Sequence, residues 1–343
     1  MNEDTLWLQI PSAKIQPLNF IGLVSYGDQI FAKTSDKLEC IANQLAELQS
    51  HERLSIEKTT VVLFVADHGL VTDIEINSIQ SVSTELLSKF SAKSDSNHVI
   101  NKTLNAQLEV INLGTNIKSE NIAGIINSKI DASTASFCHS PAMNNEQLAK
   151  AINIGRQSAQ RIRLSGAQLF VASEINKANT LSALAISSVL LNIKLNDLSK
   201  IDNKEKQVIQ QALVQHKTKL TSPLEILRCL GSFEIAALTG SYLCCAHMGL
   251  PVLVDGFASA VAALIASRIC PNAEQWFLYS TTPSNIAHKQ IFKKLKAQPL
   301  LQTNQPLDSV AGIVMALSLL QLACNNHNQT LHFKEETLLK RYS

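Results

Sequence analysis

Short apolar runs set the strongest constraint on this chain. They fall at residues 60–65 (TVVLFV), 108–113 (LEVINL), 168–172 (QLFVA) and 251–254 (PVLV), with a fifth at 275–280 (QWFLYS). Most lack the strict alternation of a strand with one wet face, which suits strands buried on both faces of a parallel sheet. Helical periods lie between them. Asn144, Asn145 and Glu146 open a helix through Ala149, Ile152 and Ile154, and Pro223 opens another that approaches Gly231. Residues 233–248 and 257–269 read as strongly apolar helices. Strands alternating with helices predict an α/β fold, a doubly wound Rossmann-like mainly parallel sheet with a small helical subdomain. Such sheets bind ligands beyond the carboxyl ends of their strands, so functional side chains are sought there.

The chain has 343 residues, 45% hydrophobic and 17% charged, which excludes a disordered or fibrous protein. Residues 56–325 are read as the α/β domain. Residues 1–55, with a helical stretch at 36–53, are expected to join the C-terminal segment in the small subdomain, and 326–343 is read as a polar C-terminal segment. A net charge of +2 supplies no field for a polyanion, so nucleic acid is not expected as a partner. Seven scattered cysteines without a C-x-x-C pair read as reduced thiols, neither a disulfide framework nor a zinc site. Residues 235–266 are long enough to span a bilayer, but His247, Pro251 and Asp255 divide them into shorter pieces than a span needs. The opening Met1-Asn2-Glu3-Asp4 lacks the basic-then-apolar order of a signal peptide. A soluble, cytoplasmic protein is expected.

Three strand ends carry polar groups. After 60–65 comes Ala66-Asp67-His68-Gly69, where Asp67 and His68 fit either acid-base chemistry or a turn cap beside a structural donor; no second ligand cluster argues for a metal. After 168–172 comes Ser173-Glu174, followed by Asn179-Thr180, a polar site or a helix cap. After 251–254 comes Asp255-Gly256-Phe257, a tight turn in which Asp255 caps the next helix or lines a pocket.

Together these residues resemble the nicotinate-nucleotide:dimethylbenzimidazole phosphoribosyltransferase family over about residues 60–325. Ala66-Asp67-His68-Gly69 is similar to its A-D-H-G signature and Pro141-Ala142-Met143 to its P-A-M. The stretch from Gly231 to Gly240 resembles G-G-F-E-I-A-A-L-A-G, and Pro251-Val252-Leu253-Val254-Asp255-Gly256-Phe257 resembles P-V-V-L-D-G-F. Pro299-Leu300-Leu301 falls where the family has P-L-L. The resemblance implies a homodimer with active sites at the carboxyl edge of the sheet, and no cofactor. It implies attack by a benzimidazole nitrogen on the anomeric carbon of nicotinate mononucleotide, with a glutamate taking the proton and nicotinate leaving.

Several columns depart from the family. Aligned without gaps through Leu319-Leu320-Gln321, the glutamate of R-L-G-E-G-T-G-A becomes Ser309, with Asp308 adjacent. Asp308 or Ser309 reads equally as an N-cap for an apolar helix over 310–324. The family's E-M-G-I-G-N-T-T keeps Glu174, Asn179 and Thr180 but loses both glycines, whose bare backbone suits phosphate binding. The G-T-G loop expected next is absent around 195–198. R-I-G-x-G-T-R-N-F becomes Lys129-Ile130-Asp131-Ala132-Ser133-Thr134-Ala135-Ser136-Phe137, and of S-H-R-S-A-E-P-G-H only Ser280 and His288 persist. On the base side Gln80 and Ser83 stand where they could hydrogen-bond a ligand, without the family's aromatic-proline wall.

Three functions stay open at this point. One is a phosphoribosyltransferase with a divergent site, using Asp308 or Glu174 as base, with Ser309 in the family column and His68, Gln80, Ser83, Asn179, Thr180 and Asp255 binding substrate. Another is a non-catalytic binding protein or the silent half of a heterodimer with a paralogue. The least supported is a metal-dependent hydrolase on Asp67, His68 and His288.

Overall fold

The computed structural model describes residues 35–71, 106–115, 125–174, 178–198, 201–303 and 309–342. The strands are β1 (Thr59–Ala66), β2 (Gln107–Gly114), β3 (Ile125–Asn127), β4 (Leu169–Glu174), β5 (Val252–Val254), β6 (Phe277–Thr281) and β7 (Pro299–Leu301). They form one seven-stranded sheet in the order β3-β2-β1-β4-β5-β6-β7. Every pairing is parallel. All eight residues of β1 are buried, as its unbroken apolar run requires. The chain winds outward from β1 through β2 to β3, then crosses back to β4 and winds the other way. The switch point therefore lies between β1 and β4, and in sheets of this kind ligands bind beyond the carboxyl ends of the strands there.

The helices are α1 (Ser35–Gln49), α2 (Asn145–Leu164), α3 (Ala178–Leu190), α4 (Asn203–Gln215), α5 (Pro223–Leu230), α6 (Phe233–His247), α7 (Phe257–Ile269), α8 (Ile286–Leu295) and α9 (Ser309–Tyr342). Their starts follow local chemistry. Asn144 and Gln147 close a reciprocal capping box on α2, and Ser222 caps α5 ahead of Pro223 at its first position. The first fourteen residues of α6 are all buried, so this helix has no wet face and lies inside the fold. It crosses α2 with backbones touching. A Cβ on Gly155 would lie 1.9 Å from the Ala237 carbonyl oxygen, and one on Gly240 would lie 2.1 Å from that of Ile152. That close crossing seats the N-terminus of α6 behind the ends of β1 and β4.

Four elements differ from the sequence expectation. The helix expected over 36–53 stops at Gln49, because Ser50 turns into the left-handed region at φ 53°. The segment beyond it is tied to α9 instead: the Asn328 carboxamide accepts from the Leu54 amide at 2.9 Å and donates to the Leu54 carbonyl at 2.8 Å. The apolar helix expected over 310–324 is only the first half of α9. β3 and β7 are strands of three residues that no apolar run announces.

Candidate active site at the carboxyl edge

The turn after β1 is clamped on both sides. Asp67 donates its amide to the Gly114 carbonyl at 2.7 Å, and Gly69 donates to the Thr134 carbonyl at 2.9 Å. A Cβ on Gly69 would sit 2.5 Å from that carbonyl, so only glycine allows the approach. Held this way, His68 lies inward, 5% exposed, with Nε2 3.2 Å from Glu234 Oε1.

Glu234 is the hub of the site. It sits in the first turn of α6, where the helix dipole favours a carboxylate, and it is 0% exposed. Its Oε1 accepts from the Ala66 amide at 3.1 Å and from Asn179 Nδ2 at 3.1 Å, besides facing His68. Its Oε2 is buried without a hydrogen-bond partner among the described residues. Asn179, buried in the first turn of α3, also donates Nδ2 to Glu174 Oε2 at 2.7 Å. Its Oδ1 accepts the hydroxyl of Ser232 at 2.6 Å, and Ser232 in turn caps α6 by accepting from the Ile235 amide at 3.2 Å. Glu174, the last residue of β4, is half-buried and stands beside Phe64 of β1 at the switch point.

The electrostatics follow from burial and pairing. Loss of hydration works to lower the His68 pKa, but the touching Glu234 carboxylate together with Glu174 and Asp67 outweighs it. The net direction is upward, toward imidazolium. His68 and Glu234 are therefore a buried, hydrogen-bonded pair, and removing either leaves the other without a main partner in the interior.

A second polar cluster lies at the ends of β5 and β6. Asp255, 2% exposed, accepts the Ser280 hydroxyl on Oδ1. The expected helix cap is not what Asp255 provides. The cap position of α7 is Gly256, at φ 89° and without a side-chain cap bond, so the Asp255 side chain is turned to β6 instead. Gly312, near the start of α9, packs on the same carboxylate: a Cβ there would lie 2.8 Å from Asp255 Oδ1. His288 is 3% exposed, in the first turn of α8, with ring centroids 5.5 Å from Phe257 and 4.8 Å from Phe292. Its Nδ1 accepts from the Ser284 amide at 3.2 Å, which leaves the ring proton on Nε2, buried and unpartnered among the described residues. Burial lowers its pKa to about 3, so His288 is neutral.

The structure thus brings His68, Glu174 and Asn179 into one network and places Asp255 in another. Thr180 is exposed on α3, one residue past Asn179, and Ser309 is the first residue of α9. Gln80, Ser83 and Asp308 lie outside the described residues. His68 and His288 sit in separate clusters, and among the described residues no three His, Cys, Asp or Glu side chains gather as a metal site. Nor is any helix among those residues long and apolar enough to cross a membrane. Glu234 and Ser232 escape the sequence reading as site residues, because both sit in a stretch that reads as packing. A carboxylate inside an otherwise apolar helix is the available signal, since buried Glu is rare unless paired.

The chain resembles several known proteins along most of its length. It is 38% identical over 313 residues to the nicotinate-nucleotide:dimethylbenzimidazole phosphoribosyltransferase of Pseudomonas putida KT2440, an alignment that covers 89% of each chain. It is 35% identical over 349 residues to the protein of that name from Pseudomonas fluorescens SBW25, covering 98% of this chain and 99% of the relative. The crystal structure of CobT from Thermus thermophilus superposes with a TM-score of 0.79 at 25% identity, over 88% of this chain and 92% of that one. A family model described as phosphoribosyltransferase matches residues 35–337. With these matches spanning the sheet and both polar clusters, the chain belongs to the nicotinate-nucleotide:dimethylbenzimidazole phosphoribosyltransferase family.

Proposed function

We propose that this chain transfers a phosphoribosyl group from nicotinate mononucleotide to a benzimidazole-type base, a step in assembly of the cobalamin nucleotide loop. One observation carries the reading: the Glu174 carboxylate, half-buried at the β1/β4 switch point and held by Asn179 at 2.7 Å. In the proposed step the lone pair of one ring nitrogen attacks the ribose anomeric carbon. The bond from that carbon to nicotinate breaks, and its electron pair leaves with nicotinate. The proton on the other ring nitrogen passes to Glu174, and the product is the α-riboside 5′-phosphate of the base. Glu174 takes this role because a carboxylate accepts an azole proton at neutral pH, whereas a serine hydroxyl, the group in the family's glutamate column, does not do so unaided. Family resemblance extends the proposal to a cytoplasmic homodimer. The packing of α1 against α9 supports a small helical subdomain built from both ends of the chain.

A second reading, a chain that binds these ligands without turnover, is favoured by the presence of Ser309 at the start of α9, in the column where the family motif has glutamate. One assay separates the two. Purified protein is mixed with nicotinate mononucleotide and dimethylbenzimidazole, and nicotinate release is followed. The transferase reading expects sustained release, reduced by about 10²–10⁴-fold in Glu174→Gln. Absence of release by the unmodified chain, with both ligands bound in calorimetry, would favour the silent binder.

A further inference from the structure

Each group around Asn179 has only one way to use its hydrogens. The Ser232 hydroxyl accepts from the Ile235 amide, so its own hydrogen goes to Asn179 Oδ1, 2.6 Å away. That fixes which end of the carboxamide is oxygen. The two hydrogens on Nδ2 then reach two carboxylates, Glu174 at 2.7 Å and Glu234 at 3.1 Å. A flipped carboxamide would set its oxygen against both. Glu234 cannot swing aside, because its Oε1 also takes the Ala66 amide and faces His68, and the residue is 0% exposed. Glu234 therefore connects the rigid ends of β1 and α6 to Glu174 without any exposed atom of its own.

We propose that Glu234, backed by His68 and Ser232, is a positioning residue for the transfer: it locks the Asn179 carboxamide, and through it aims the Glu174 carboxylate at the base. The inference rests on the transferase reading above. Its energetic logic is that misplacing a reacting group by about 1 Å costs on the order of 10²-fold in rate, while the distant Glu234 adds nothing to ground-state binding. Removing it should therefore lower kcat and kcat/KM together and leave KM in place.

The test compares Glu234→Leu, which deletes the acceptor at similar volume, with Glu234→Gln, which keeps an acceptor oxygen in the same place. Expected for the folded Leu variant is a kcat lower by about 10–10²-fold, with KM for nicotinate mononucleotide within about twofold. The Gln variant should recover most of that kcat. Should the Leu variant fail to fold, Ser232→Ala carries the test. It releases the other end of the same carboxamide and should lower kcat with KM held. His216→Ala serves as the stability control: it deletes a buried hydrogen bond to the Phe137 carbonyl, outside this network, and should reduce thermal stability with kcat unchanged. Full kcat in folded Glu234→Leu or in Ser232→Ala overturns the inference alone. An unmodified chain without turnover overturns the transferase reading, and the inference falls with it.

Discussion

Two buried histidines stand at the carboxyl edge of the same sheet with pKa values shifted in opposite directions. His68, after β1, faces a buried carboxylate 3.2 Å away and is pushed toward imidazolium. His288, in the first turn of α8, accepts a backbone amide, packs on Phe257 and Phe292, and stays neutral. Both have lost their water, so burial alone does not distinguish them. The partner does: a charge within hydrogen-bond reach offsets desolvation, and two aromatic rings do not. The β1/β4 end is thus organised by charge and hydrogen bonds, the β6/α8 end around His288 by packing. Proton transfer in a phosphoribosyltransferase belongs where carboxylates are already gathered and oriented.

The sharpest way to break this contrast is to remove each ring. His68→Leu leaves the Glu234 carboxyl buried without its ring partner and should destabilise the fold by about 3–5 kcal/mol. His288→Phe removes no charge and keeps an aromatic body between two phenylalanines, so it should change stability by about 1 kcal/mol or less in either direction. Urea denaturation at neutral pH measures both. Equal losses would mean that the two sites are held by the same forces.

A second test separates them by pH. The unfolded chain protonates His288 near 6.5, whereas the folded chain does so only near 3. Stability should therefore fall as pH drops from about 6.5 toward 3, and His288→Phe should remove that part of the slope. For His68 the sign is reversed. Its folded pKa is raised, so its contribution is complete below about 6.5 and is lost as pH rises through the folded value. Unfolding free energy measured across this range should show both limbs in the unmodified chain. An acid limb that persists unchanged in His288→Phe would show that other groups set it.

Much of this architecture is legible in the sequence, for reasons that particular residues make plain. The run at 60–65 extends by one residue at each end into β1, and 257–269 is α7 to the residue, because strong apolar runs bounded by turn residues leave little choice. Asn144, Pro223 and Gly231 mark helix ends through chemistry that acts within a few residues. β3 escapes notice because a three-residue strand ending in Asn127 carries almost no pattern. The site is harder to read. Glu174, Asn179 and His68 are visible as polar residues at strand ends, but their convergence depends on pairings 55 and 166 residues apart along the chain. Asp255 reads as a local cap, yet its partner Ser280 is 25 residues away on the next strand. Glu234 lies inside a motif that reads as scaffold, although its Oε1 meets Ala66, His68 and Asn179 together.

The most direct measurement is a crystal structure of this protein soaked with nicotinate mononucleotide. If catalysis is organised around the switch point, the nucleotide should lie across the ends of β1 and β4, with its anomeric carbon on the side that Glu174 faces and Asn179 still bonded to that carboxylate. A nucleotide seated with Glu174 turned away from the ribose, or no nucleotide at these strand ends at saturating ligand, would contradict it.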